Sequence, residues 1–153
     1  MILAAQHIRQ FQPLKPFCER TVAHGMTYGL GPAGYDVRVA ETIHLPSGRF
    51  VLASTIEEFD MPKSLVGMVH DKSTWARRGL AVQNTVIEPG WKGFLTLELT
   101  NHGGTTIRIA AGTPIAQIVF HALSAETEQP YAGRYQNQPA GPQPALLARE
   151  GDR

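Results

Sequence analysis

Internal disulfides, cysteine-built metal sites and membrane-spanning helices are all out of reach of this sequence. Its 153 residues include one cysteine, Cys18, which fits a reducing compartment. Charge is sparse: Asp, Glu, Lys and Arg make up 18% of the chain and the net charge is +1. Neither figure suits a protein that coats nucleic acid or an acidic membrane, so neither partner is expected. The apolar start, Met1 to Ala5, is short and has no basic leader, unlike a signal peptide. No run nears the roughly 18 apolar residues of a membrane span. A soluble, cytoplasmic protein is therefore expected. Neither the phosphate loop Gly-x-x-x-x-Gly-Lys nor the nucleophile elbow Gly-x-Ser-x-Gly occurs, and no dinucleotide-binding fingerprint is expected. The six histidines (His7, His24, His44, His70, His102 and His121) are scattered, with no pair at metal-binding spacing.

What the chain does have is β pattern. Its length suits one domain, and a 42% hydrophobic fraction suffices for a core. Residues 1–24 read as a mixed N-terminal segment with a short helix over Ala4–Phe11, ended by Pro13 and Pro16. From Tyr35 onward, β-rich runs follow at Tyr35–Ala40, Phe50–Thr55 and Leu65–His70, separated by turn residues. The clearest strand is Phe94–Thr100, with Leu95, Leu97 and Leu99 on one face and Thr96, Glu98 and Thr100 on the other. Thr106–Ala110 and Ile115–Phe120 complete the set. Short strands so closely spaced predict an all-β barrel or jelly roll.

Three segments carry candidate chemistry. Asp71 to Gly79 reads as a short helix with Asp71 as N-cap and Gly79 as C-cap. It places Ser73 and Arg77 one turn apart and adds Lys72 and Thr74, a set suited to a triphosphate but also to a solvated basic turn. Val86 to Gly93 reads as a rigid hairpin whose Trp91 offers a surface for a sugar, or simply a core side chain. Glu98 is either a solvent-face residue or a half-buried proton shuttle. Residues 124–153, rich in Gln, Pro, Ala and Gly, read as a tail that is mobile alone and orders on a ligand or neighbour.

Together these segments resemble the dCTP deaminase/dUTPase superfamily. Gly34-Tyr35-Asp36-Val37-Arg38 is similar to its Ser-Tyr-Asp-Leu-Arg strand, and Arg49 to Glu57 resembles its Gly-Phe-x-Leu-Ala-x-Thr-x-Glu strand. Lys72-Ser73-Thr74-Trp75-Ala76-Arg77-Arg78-Gly79-Leu80 resembles Arg-Ser-Ser-Leu-(Gly/Ala)-Arg-x-Gly-Leu. Ile87-Glu88-Pro89-Gly90-Trp91-Lys92-Gly93, followed by Thr96-Leu97-Glu98, resembles Ile-Asp-Pro-Gly-(Trp/Phe)-x-Gly and its Leu-Glu. Arg134-Tyr135-Gln136-Asn137-Gln138 resembles a C-terminal lid. The matches run in order over residues 30 to 140.

The resemblance implies a single distorted β-barrel domain over residues 1–153, a homotrimer with interface sites, and Mg²⁺ held through the triphosphate. It implies that Lys72, Ser73, Thr74 and Arg77 line the phosphate side, Glu88 and Trp91 the sugar side, and Thr96, Leu97 and Glu98 the base. Tyr131, Arg134 and Gln138 would close over the nucleotide. It also hints at dTTP as an inhibitor. Glu98 with Ser73 and Arg77 favours hydrolytic deamination of dCTP, and a lone cysteine cannot build the zinc site of other deaminases. Glu88, together with the short Gln83-Asn84-Thr85-Val86 loop, keeps a dUTP diphosphatase or a bifunctional enzyme open. Departures at Lys72, Trp75, Glu88 and Arg134 also leave a modified-pyrimidine specialist open. A non-catalytic nucleotide-binding regulator is the third class.

Overall fold

The computed structural model describes residues 1–83 and 85–147. Asn84, part of the loop noted above, and the tail residues 148–153 lie outside the described residues. In chain order the elements are α1 (Ala5–Phe11), β1 (Leu14–Lys15), β2 (Thr21–Ala23), β3 (Met26–Leu30), β4 (Tyr35–Arg38), β5 (Ile43–Leu45), β6 (Phe50–Asp60), β7 (Leu65–Asp71), α2 (Ser73–Ala76), β8 (Leu80–Val82), β9 (Val86–Ile87), β10 (Lys92–Asn101), β11 (Ile107–Ile109) and β12 (Pro114–Ala122). The expected mainly β architecture is observed. The described strands form three antiparallel sheets in the orders β1-β6-β10-β8, β2-β3-β4-β12-β7-β9 and β11-β5.

Two strands organise the core. In β12, which lies between β4 and β7, Ile115, Ala116, Ile118 and Phe120 are all fully buried. In β10, between β6 and β8, Leu97 and Leu99 are likewise buried. Tyr35, Val37, Phe59, Leu65 and Ile8 of α1 fill the space around them. Two family-like motifs supply the polar frame. Arg38 donates from its backbone N–H and from Nε to the buried Glu57 carboxylate, at 2.9 and 2.8 Å. The Tyr35 hydroxyl accepts the Cys18 N–H at 2.9 Å, and burial raises its pKa above the ordinary value.

Four local expectations change. The segment before Tyr35 is not irregular, because Thr21–Ala23 and Met26–Leu30 form a hairpin around His24 and Gly25, both with positive φ (49° and 72°). Such a two-residue turn matches strand twist. Asp71 is not the cap of α2. Lys72 takes that position, and the Asp71 carboxylate accepts the Val82 N–H at 2.7 Å. Leu95 packs against the same core as Leu97 and Leu99 but is only partly buried. The β10–β6 register shifts between Phe94 and Thr96, where partners jump from Glu58 to Ser54. Thr55 patches the irregularity by accepting the Leu95 N–H at 3.0 Å and donating to the Glu57 carbonyl at 2.7 Å. Finally, Gly29-Leu30-Gly31-Pro32-Ala33-Gly34 does have dinucleotide-fingerprint spacing. It joins antiparallel β3 to β4 with no helix after it, so it cannot serve that chemistry.

Candidate active site

The irregularity between β6 and β10 stands beside a cleft of about 550 Å³. Leu95, Thr96 and Glu98 form its floor, with Phe50 and Leu52 of β6 alongside. Val86, Ile87, Glu88 and Trp91 supply a second wall, and Tyr131, Tyr135, Gln138 and Gln143 of the tail supply a third. Bulges recur next to active sites because they re-aim side chains. Here the extra residues lie in β6, opposite Leu95, which lines the cleft beside Thr96 and Glu98 while packing on the core. Leu97 is 0% exposed in the core.

Glu98 is half-buried against this largely apolar surround. Burial raises its carboxyl above the ordinary value, opposed by a hydrogen bond from its own backbone N–H. Such a group exchanges protons closer to neutrality than a solvated glutamate does. Its carbonyl accepts the Gln83 N–H at 2.8 Å, and the Gln83 side chain in turn accepts from Thr100. The strand is thereby fixed on either side of the acid.

The tail wall is bonded to the Glu88–Trp91 turn, closed by the Trp91 N–H on the Glu88 carbonyl at 3.1 Å. The segment is not the expected hairpin: β9 pairs with β7 and β10 with β6 and β8, so the turn carries the chain from one sheet to the other. Tyr131 donates its N–H to the Pro89 carbonyl at 2.8 Å. Trp91 Nε1 donates to the Tyr135 carbonyl at 2.6 Å. Gln136 Oε1 accepts the Lys92 N–H at 2.8 Å. Gln138 Nε2 donates to the Phe94 carbonyl at 2.8 Å and to Thr96 Oγ1 at 2.7 Å, and the Gln143 N–H reaches the same oxygen at 3.0 Å. Gly93 permits this approach, since a Cβ there would meet Gln138 N at 2.5 Å. Nothing in the polar composition of the tail encodes these contacts. Arg134 stands outside the main cleft and donates to the Leu146 carbonyl at 3.0 Å.

The structure thus brings Glu88, Trp91, Thr96, Glu98, Tyr131 and Gln138 to one cleft. It does not bring Lys72, Ser73, Thr74 or Arg77 there. These lie on and around α2, where Ser73, Thr74 and Arg77 are exposed and Lys72 is buried. Trp75 plugs the helix into the core, with Nε1 donating to the Pro114 carbonyl at 2.8 Å. Among the described residues no group of three His, Cys, Asp or Glu side chains could hold a metal ion, and no helix is long and apolar enough to cross a membrane. The sequence reading did not single out Phe50, Leu52, Leu95, Tyr135 or Gln143 as cleft residues. Phe50, Leu52 and Tyr135 do fall within family-like motifs, which is the one signal the sequence carries for them.

A family model described as dCTP deaminase-like matches residues 33–123. The chain belongs to the dCTP deaminase-like family. The matched span holds α2, the Glu88–Trp91 turn and Glu98, and stops short of the tail residues. A dCTP deaminase of Campylobacter hominis is 33% identical, with 92% of this chain and 90% of the relative aligned. That alignment runs over 173 positions, so the relative carries segments this chain lacks. Among solved structures, a dCTP deaminase from Agrobacterium tumefaciens superposes with a TM-score of 0.65 at 19% identity, over 80% of this chain and 49% of the other. The native EIAV dUTPase gives 0.55 at 26% identity, over 66% and 84%. The deaminase-like scaffold is therefore common to both kinds of enzyme.

Proposed function

We propose that the protein hydrolyses dCTP to dUTP and ammonia without zinc. The observation that carries this reading is Glu98: a half-buried strand carboxyl with a raised pKa, facing a cleft, in a chain 33% identical to a dCTP deaminase. Glu98 takes one proton of a water attacking C4 of cytosine and passes it to N3; it then takes the second proton, from the new C4 hydroxyl, and delivers it to the amine, which leaves as ammonia as the C4–N bond breaks and the C4 carbonyl forms. Ser73 holds the water, and Arg77 keeps Glu98 oriented and ionised. These two groups do not line the cleft of their own chain. In this reading they come from a neighbouring copy, in a homotrimer with three shared sites and one such domain per chain.

Thr74 and Arg77 of that copy take the phosphates. Glu88 and Trp91 border the sugar, Thr96 and the Leu97 backbone border the base, and Tyr131, Arg134 and Gln138 form the closing side. Mg²⁺ fits as a companion of the triphosphate, neutralising phosphate charge; among the described residues no group of three His, Cys, Asp or Glu side chains is placed to hold it. dTTP, with the same sugar and triphosphate, competes for the site.

Incubation with dCTP and with dUTP separately, with Mg²⁺ and chromatographic resolution of products, tests the reading. dUTP and ammonia from dCTP are expected. A second reading, dUTP diphosphatase, draws on Glu88, which lines the same cleft as Glu98. It predicts dUMP from dUTP, and the bifunctional version predicts dUMP from dCTP. Binding of dCTP without any product would refute both.

A further inference from the structure

Four residues are too few for α2 to hold itself in water, so its position is set from outside. Lys72 stands at its start. The Lys72 carbonyl accepts the N–H groups of Trp75 at 2.9 Å and Ala76 at 3.0 Å, and the next residue is Ser73. The Lys72 side chain turns inward: Nζ donates to Asp36 Oδ2 at 2.6 Å, with the two side chains 10% and 17% exposed. Asp36 lies in β4, which is paired on both sides, with β3 and β12. The cap residue is therefore tied by its backbone to the helix and by its side chain to the sheet.

An ammonium held this way is poorly suited to a phosphate. To reach one it would have to leave Asp36, stranding a carboxylate that is mostly buried, and removing one partner of such a pair costs more than the intact pair contributes. Arg77 and Arg78 remain as exposed cations on this face, Arg78 lying 4.9 Å from the centroid of the Trp75 ring.

We infer that Lys72 is a positioning residue: its ion pair with Asp36 fixes the start of α2, and so Ser73, and Lys72 does not bind the triphosphate. This rests on the deaminase reading for Ser73. It also accounts for a lysine where the family motif has arginine, because a compact ammonium meets one carboxylate oxygen without needing a planar fork.

The test combines dCTP kinetics with dCTP binding by calorimetry for the intact protein and for Lys72→Met, Asp36→Asn, the double variant and Lys72→Arg. Each neutral single variant lowers kcat about tenfold with KM and affinity within about twofold. The double variant is no worse than either single, because both break one pair. Lys72→Arg, which can still meet Asp36, recovers most of kcat. The inference is overturned if Lys72→Met raises KM and weakens binding about tenfold while Asp36→Asn leaves both alone. Unchanged kcat in both singles overturns it as well. Should Lys72→Met fail to fold, Asp36→Asn and Lys72→Arg decide by the same criteria. If the unmodified protein releases no ammonia, the deaminase reading fails on its own. Lys72 is then judged on dCTP affinity: within about twofold in Lys72→Met supports the inference, about tenfold weaker overturns it.

Discussion

The Glu98 cleft and the α2 turn carry the two halves of one proposed chemistry and are built in opposite ways. Around Glu98, an irregular strand, an apolar wall and a bonded tail enclose a carboxyl that water reaches only partly. Around α2, three anchors (Asp71 to Val82, Lys72 to Asp36 and Trp75 to Pro114) hold the base of the turn and leave Ser73, Thr74 and Arg77 outside. Enclosure tunes a proton-transfer group. Rigid exposure offers hydroxyl and guanidinium groups to whatever docks against them. A chain with both, at separate places, is suited to a site made where two copies meet.

The largest break in this comparison is Glu98→Gln. It keeps the shape of the side chain and removes its basicity, so deamination should fall about a thousandfold or more while dCTP binding stays within a few-fold. Ammonia release and calorimetry read the two quantities. Normal turnover would remove Glu98 from the mechanism. A second experiment sharpens the same contrast: Glu98→Gln and Arg77→Ala chains, each inactive alone, are unfolded and refolded together. Random assembly gives some sites an intact Glu98 from one chain and an intact Arg77 from another, restoring up to about a quarter of the full rate. No recovery would mean that one chain supplies both halves.

The third prediction concerns the tail wall. Gly93 has φ +134°, and a Cβ would lie 2.5 Å from Gln138 N and 2.6 Å from its carbonyl oxygen. Gly93→Ala should therefore cost about 1–3 kcal/mol in denaturant unfolding. It should also raise the KM for dCTP, as the tail leaves Thr96. A variant with unaltered stability and KM would show that the tail contacts matter to neither.

Legibility in the sequence followed the periodicity. β10 and β12 could be read because alternation or a continuous apolar run reports burial directly, and the turn at Ser73–Ala76 could be read from Gly79 and its neighbours. The β2–β3 hairpin was missed because its strands have three and five residues and its turn is His-Gly, a weaker signal than Asn-Gly. The exposure of Leu95 to the cleft could not be read from β10 alternation, because the bulge opposite it lies in β6, around Thr55 and Glu57, some forty residues away in the chain. The same holds for the tail: Gln136 and Gln138 bond Lys92, Phe94 and Thr96, each more than forty residues away, which composition does not record. Residue types at the site were visible, but their grouping into two places needed the fold.

The smallest expected effect comes from the same burial that makes Glu98 useful. Its carboxyl has a higher pKa in the folded chain than its usual 4.5, so between those two values the folded state binds more protons than the unfolded one. Unfolding free energy therefore falls as pH rises through that window, and the loss persists above it. Glutamine carries no such charge. Glu98→Gln should melt slightly higher than the unmodified protein at pH 7, and the advantage should shrink as pH drops through the raised value toward 4.5 and below. Thermal melts of both proteins across pH 4 to 8 read this directly. The deamination rate should move the opposite way to stability over the same interval, rising with pH as Glu98 ionises and can accept the water's proton. A melting difference that ignores pH would mean that the assembled protein does not hold the carboxyl above its usual value, because the cleft does not desolvate it or because the neighbouring Arg77 offsets that, and the contrast between an enclosed acid and an exposed turn would lose its electrostatic basis.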